Sequence, residues 1–204
     1  EDGIYVNENS FRFPDQDTDE QTTFSFRQGR SRETAFSYDY SSLYELLRYE
    51  RDHGHITWVL GPACAFDAEA RNAFAKLVEG GYVHSLLAGN ALATHDLEAG
   101  YLGTALGQNV RTQKPHFNTQ KSQSNGHYNH IDTINKVNLY GSIPKFIEEE
   151  HITDGIIYSC VKNNVPFVLN GSIRDDGPLP EVYEHTYVGQ DAIRSHVRRS
   201  TTVI

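Results

Sequence analysis

The stretch GYVHSLLAGNALATHDLEAG (81–100) decides the fold. Its apolar run VHSLLA (83–88) has the length of a buried strand and closes on Gly89–Asn90, after which the apolar spacing becomes helical over 94–106. The same alternation extends in both directions. Upstream, ITWVL (56–60) is a second buried-strand run ending at Gly61–Pro62. FDAEARNAFAKLVEGG follows, with Asp67 placed to cap a helix and paired glycines to end it. Downstream, VPFVL (165–169) closes on Asn170–Gly171, and TTVI (201–204) reads as a further strand. Helices are expected within SYDYSSLYELLRYERDHG and near 127–139, 142–150, 153–163 and 188–199. Short apolar strands separated by helices imply an α/β protein with a parallel sheet covered on both faces. Ligands of such sheets bind at the carboxyl ends of strands. Three turns are thereby singled out: Gly61–Pro62–Ala63, Gly89–Asn90–Ala91, and Gly171 onward.

Two stretches stand outside this pattern. Residues 1–30 are polar with isolated aromatics and read as an N-terminal arm or linker. Residues 108–126 form a polar run too long for an ordinary connection, which marks a functional loop or an insertion.

Composition narrows the class. Of 204 residues, 38% are apolar and 22% charged, the balance of a globular protein. No run approaches the roughly 18 apolar residues of a membrane span, and the start lacks the apolar centre of a signal peptide. A formal charge of −9 opposes a nucleic-acid surface. Two cysteines nearly a hundred positions apart, Cys64 and Cys160, build neither a disulfide framework nor a metal knuckle, and a reducing cytoplasm is the simplest setting. Methionine is absent, so the numbered chain reads as processed or excised from something longer.

Three groups could carry chemistry. In LAGNALATHDLEAG, a helix beginning near Thr94 would carry His95, Asp96 and Glu98 in its first turn. Its N–H groups would face an anion or cofactor phosphate, Asn90 offers donor and acceptor, and Gly89 permits close approach or positive φ. Equally, Thr94 would serve as an N-cap and the acids would complement the helix dipole. In NGSIRDDGPLPEV, a buried strand delivers Arg174, Asp175 and Asp176 into a stiff turn suited to a ribose diol, an amine and a carboxylate. In NGHYNHIDTIN, His127 and His130 share a helical face, but no third ligand stands at a diagnostic spacing, so no metal is expected. Cys160 reads as a small core residue. No G-x-G-x-x-G follows any strand, so the usual dinucleotide fingerprint is missing.

Taken together, GPACAFD, GYVHSLLAGNALATHDLEA, GHYNHIDTIN, GIIYSCVKNNVPFVLNGSIRDDGPLPEV and RRSTTVI resemble the NAD-dependent ornithine cyclodeaminase family. The family is also described as lysine-oxoglutarate reductase/saccharopine dehydrogenase-related, and it supplies the carboxyl-terminal domain of arginine-degrading, proline-producing enzymes. The resemblance covers about 31–204 and implies a Rossmann-like parallel sheet similar to deoxyhypusine synthase, binding NAD without the glycine fingerprint. It implies cofactor contacts at Asn90, Ala91 and Asp176, to which strand-end geometry adds Gly61 and Gly89. The implied reaction turns L-ornithine into L-proline and ammonia by hydride abstraction, cyclisation, deamination and hydride return. Such chemistry asks for a cation at the carboxylate, assigned to Arg174, and amine handling, assigned to Asp175 or Asp96. His95 would shuttle a proton. Homo-oligomers are usual for the fold.

The sequence departs from the family at Asn170 and in the longer 108–126 segment, and relatives continue after TTVI with further NAD contacts. Two competing readings follow: a catalytically silent truncated fragment serving as a binding or assembly module, and a same-fold NAD enzyme, such as a deoxyhypusine-synthase-like transferase, acting on another amine.

Overall fold

A computed structural model describes residues 37–110, 127–172 and 177–204. The chain divides into two units, Glu1–Tyr38 and Asp39–Ile204. The arm expected over 1–30 and most of the long polar segment lie outside the described residues.

The second unit alternates as the apolar runs require. After α1 (Ser37–His53) come β1 (Ile56–Leu60), the short α2 (Ala63–Phe66) and α3 (Ala68–Glu79). Asp67 caps α3 as expected, its carboxylate accepting from the Glu69 N–H at 2.9 Å. At the other end, Gly81 takes φ +77° while Tyr82 N–H bonds Leu77 and Gly81 N–H bonds Val78, a Schellman closure that only glycine enters without strain. Next are β2 (Ser85–Gly89), α4 (Asn90–Leu102), a small antiparallel hairpin of β3 (Thr104–Ala105) and β4 (Gln108–Asn109), α5 (His127–Tyr140), α6 (Ile143–Glu149) and α7 (Ile156–Lys162). The chain ends in β5 (Phe167–Asn170), β6 (Val182–Tyr183), α8 (Thr186–Val197) and β7 (Thr202–Val203).

The main sheet has the order β6-β5-β2-β1-β7, with all four pairings parallel. It is the parallel α/β sheet that the alternation demanded. From β1 the order grows through β2, β5 and β6, then the chain returns to place β7 on the other side of β1. The order therefore reverses between β1 and β7, and a ligand crevice is expected at the carboxyl ends of the strands there.

Alternation along the strands separates two faces. Trp58, Leu86 and Leu169 point into the main core with Phe74, Phe146 and Ile157. On the opposite face, Leu87 and Val168 are buried, α8 packs against β5, and the Thr57 hydroxyl meets those of Ser85 and Ser200 at 2.7 and 2.6 Å. Cover on that face is incomplete, because Val59 stays 53% exposed. The expectation of cover on both faces holds except at Val59, which corrects it there.

Two further corrections concern boundaries. The central helix starts at Asn90 rather than Thr94, with Gly89 as its N-cap. Thr94 sits inside it and donates its hydroxyl to the Asn90 carbonyl at 3.0 Å, the back-bond open to a threonine one turn into a helix. The glycine- and proline-rich turn expected within NGSIRDDGPLPEV runs into the edge strand β6, which is too short to show an alternating pattern. Among the described helices, none is long and apolar enough to cross a membrane.

Candidate functional site at the strand ends

Gly89 ends β2 with φ −94° and ψ 164°, an extended conformation, so positive φ is not its purpose. No side chain caps α4 there. The first N–H groups of this helix are therefore left at the carboxyl end of β2 as a ready anion cradle. At the neighbouring turn after β1, nothing lies within 4 Å of where a Gly61 Cβ would stand. An uncapped helix start beside open space at the carboxyl strand ends fits a dinucleotide phosphate.

Asn90, the first helical residue, is buried and works in both directions. Its Nδ2 donates to the Gly177 carbonyl at 2.9 Å, and its Oδ1 accepts from the Leu179 N–H at 3.1 Å. It thus clasps the Gly177–Leu179 segment onto the start of α4. Arg174, Asp175 and Asp176 themselves lie outside the described residues. Replacing Asn90 by alanine leaves a buried amide without its acceptor, and urea unfolding is expected to show a loss of about 1–3 kcal/mol.

Asp96 is buried and fully engaged. One carboxylate oxygen accepts from Arg71 Nε at 2.7 Å, the other from the Ile157 N–H at 2.8 Å. Arg71 Nη2 also reaches the Asp96 carbonyl at 3.2 Å. Gly155 approaches so closely that a Cβ there would stand 2.8 Å from both Arg71 Nη2 and Asp96 Oδ2, at φ +126°. Asp96 therefore locks α3, α4 and the start of α7 together. Below it, burial, then the nearby Asp96 charge, pushes the Cys160 thiol up to about 12, which keeps it protonated and inert.

His95 turns elsewhere. It packs beside Glu98, one turn on along α4, and against His130 in the first turn of α5; its ring lies 4.7 Å from that of His130 and 4.8 Å from that of Phe66. Glu98 is 0% exposed. Its Oε1 accepts from the Thr104 hydroxyl and the Gly107 N–H, both at 2.8 Å, and its Oε2 from the Leu106 N–H at 3.0 Å. The Nδ1 atoms of His95 and His130 face Oε2 at 3.7 and 3.6 Å. Burial alone would raise this carboxyl, but His130, His95, Gly107 and Thr104 outweigh it and hold it down at about 2. A carboxyl lowered from 4.5 contributes stability that is fully present above that pH and is lost as pH falls towards 2. Urea midpoints measured down this range should fall less steeply in a Glu98→Gln variant.

No third ligand was expected beside the His127–His130 pair; the structure instead groups His130 with His95 and Glu98, which place one ligand atom each within 4.8 Å of one another. Sequence spacing did not expose this cluster. His95 and Glu98 share a helical face, but His130 arrives from another helix by tertiary packing of α4 on α5. Arg71 was likewise missed, since a basic residue on an amphipathic helix carries no signal of being buried. His127 stacks on His130 at 5.4 Å between centroids.

Known proteins agree with this architecture. Residues 43–204 match the family model described as arginine dihydrolase ArgZ-like, C-terminal, Rossmann fold. The chain is 46% identical over 151 residues to the ornithine cyclodeaminase of Methanococcus maripaludis, covering 74% of this chain and 34% of that protein. It is 43% identical over 136 residues to the bifunctional arginine dihydrolase/ornithine cyclodeaminase ArgZ of Synechocystis, covering 66% of this chain and 18% of that one. Among solved structures, a conserved LOR/SDH protein of Methanococcus maripaludis superposes with TM-score 0.75 at 38% identity, over 93% of this chain and 56% of the other. The ternary complex of AgrE with ornithine and NAD⁺ superposes with TM-score 0.74 at 33% identity, over 85% and 24%. The chain spans about a third of the length of the curated ornithine cyclodeaminases it matches. From residue 43 to its end, the chain belongs to the family of ArgZ-like carboxyl-terminal Rossmann-fold domains, the family of the ornithine cyclodeaminases.

Proposed function

We propose that the protein uses NAD to convert L-ornithine to L-proline and ammonia at the carboxyl end of its parallel sheet. The observation that carries the reading is the uncapped N-terminus of α4 at the end of β2, in a chain one-third identical to a relative solved with ornithine and NAD⁺. Asn90 and Ala91 open that helix, Gly89 and Gly61 keep the backbone approachable, and Asp176 follows β5. These five residues would hold the cofactor, which supplies reversible two-electron chemistry at the ornithine α-carbon.

The net reaction is redox-neutral, since the substrate loses ammonia and nothing else. What the chain must add is orientation and proton handling. Arg174 binds the α-carboxylate as a planar fork. Asp175, its neighbour, handles the amine. Asp96 was an alternative for that task, but both its oxygens are occupied by Arg71 and Ile157, so it serves as a positioning residue. His95, the preceding residue on α4, faces Glu98 and His130 rather than Asp96, so as a proton carrier it would act through that cluster. A homo-oligomer in the cytoplasm belongs to the same proposal, with the exposed Val59 face available to a neighbouring subunit.

The test is Asp175→Asn, which keeps shape and removes charge. Proline formation should drop at least about a hundredfold, the lower end for loss of a general acid–base. Unchanged turnover would remove Asp175 from the mechanism.

A further inference from the structure

We propose that His95, Glu98 and His130 form a binding site for a divalent transition metal, zinc in the first instance. The three side chains converge from two helices into a buried point, with His95, Glu98 and His130 only 7%, 0% and 6% exposed. Their facing atoms are spaced for an ion rather than for each other. At 3.7 and 3.6 Å, the two Nδ1–Oε2 separations exceed hydrogen-bond length. Two ligands held roughly 2.0–2.2 Å from a tetrahedral ion stand roughly 3.3–3.6 Å apart, close to what is seen. His95 Nδ1 is a buried polar atom with no hydrogen-bond partner, aimed into this point.

The donor chemistry supports the same reading, since the buried Glu98 turns its Oε2 towards a ring nitrogen of each of two buried histidines. Two imidazoles and one carboxylate are a donor set suited to zinc, and three protein ligands leave a fourth position open.

The surroundings are built to fix Glu98 in place. Two backbone N–H groups and the Thr104 hydroxyl hold it, and Asn129 Nδ2 in turn donates to Thr104 at 3.0 Å. The two N–H donors come from the β3–β4 turn, where Leu106 takes φ +49°, a left-handed conformation unfavourable for leucine. Strain is tolerated there because the turn must deliver adjacent N–H groups to one carboxylate. Outer-shell bonds of this kind orient metal-binding carboxylates. The Phe66 ring, 4.8 Å from that of His95, walls one side.

The experiment is a titration of the metal-stripped whole protein with zinc(II) against a competing chelator, with cobalt(II) absorption reporting the coordination geometry. One equivalent should bind with dissociation constant of micromolar or below, giving a tetrahedral cobalt spectrum. His130→Gln and His95→Gln, each checked for native circular dichroism, should weaken binding at least about tenfold. Exposed histidines serve as the control: His53→Gln/His151→Gln should leave the affinity unchanged. Absence of stoichiometric binding, or equal affinity in His130→Gln, overturns the proposal and leaves a buried imidazole–carboxylate cluster with a structural role only. The readout needs no substrate or NAD, so it stands or falls apart from proline formation.

Discussion

Replacing Arg71 by methionine is expected to lower the unfolding free energy by about 3–5 kcal/mol, the range for breaking a buried ion pair by removing one partner. Arg71 is 4% exposed and binds Asp96 at 2.7 Å, with Asp154 a further 3.5 Å from its other side. Without the guanidinium, the Asp96 carboxylate remains buried with a single N–H from Ile157. Methionine keeps most of the volume, so the loss reports charge rather than a cavity. The Arg71→Met/Asp96→Asn double variant should cost clearly less than the sum of the single changes, because the two residues act as a unit. Urea unfolding decides it, and a loss under about 1 kcal/mol for Arg71→Met would mean that the pair does not hold α3, α4 and α7 together.

Truncating Glu98 to alanine is the second large effect, expected at about 3–6 kcal/mol. It strands the Leu106 and Gly107 amides and the Thr104 hydroxyl, each costing about 1–3 kcal/mol when buried without an acceptor, with water entering the vacated space to recover part. Glu98→Gln should lose less, since its carbonyl still accepts from the hairpin while the amide nitrogen cannot. Equal losses for the two variants would show that charge, rather than the acceptor count, makes Glu98 necessary. A loss below about 1 kcal/mol for alanine would contradict the geometry around the β3–β4 turn.

The sheet was legible in the sequence for a simple reason. Its strands ITWVL, SLLAG and FVLN are short apolar runs that end at, or just before, glycine or asparagine, and they sit between helices long enough to show their period. The start of α4 was misplaced by four residues because Thr94 is a good capping residue in sequence, whereas Gly89 caps without a side-chain bond. The hairpin after α4 was invisible, since two strands of two residues have no alternation to read.

The site divides along similar lines. Asn90 stood out through its place after a strand, and the structure adds what its side chain does, a clasp on Gly177 and Leu179 reached across nearly ninety residues. Asp96 stood out as an acid near a helix start, yet its burial against Arg71 depends on how α3 lies over α4 and α7. The His95–Glu98–His130 cluster needed α5 to be docked before a third ligand existed. Chemistry set by local sequence is readable from sequence; chemistry set by helix packing is not.

The proposed conversion of ornithine to proline is open to product analysis. The protein is incubated with L-ornithine and NAD⁺, and amino acids and ammonia are quantified together. Proline and ammonia formed in equal amounts, without net accumulation of NADH, are the predicted result. Ornithine recovered unchanged, or ammonia released without proline, would contradict it.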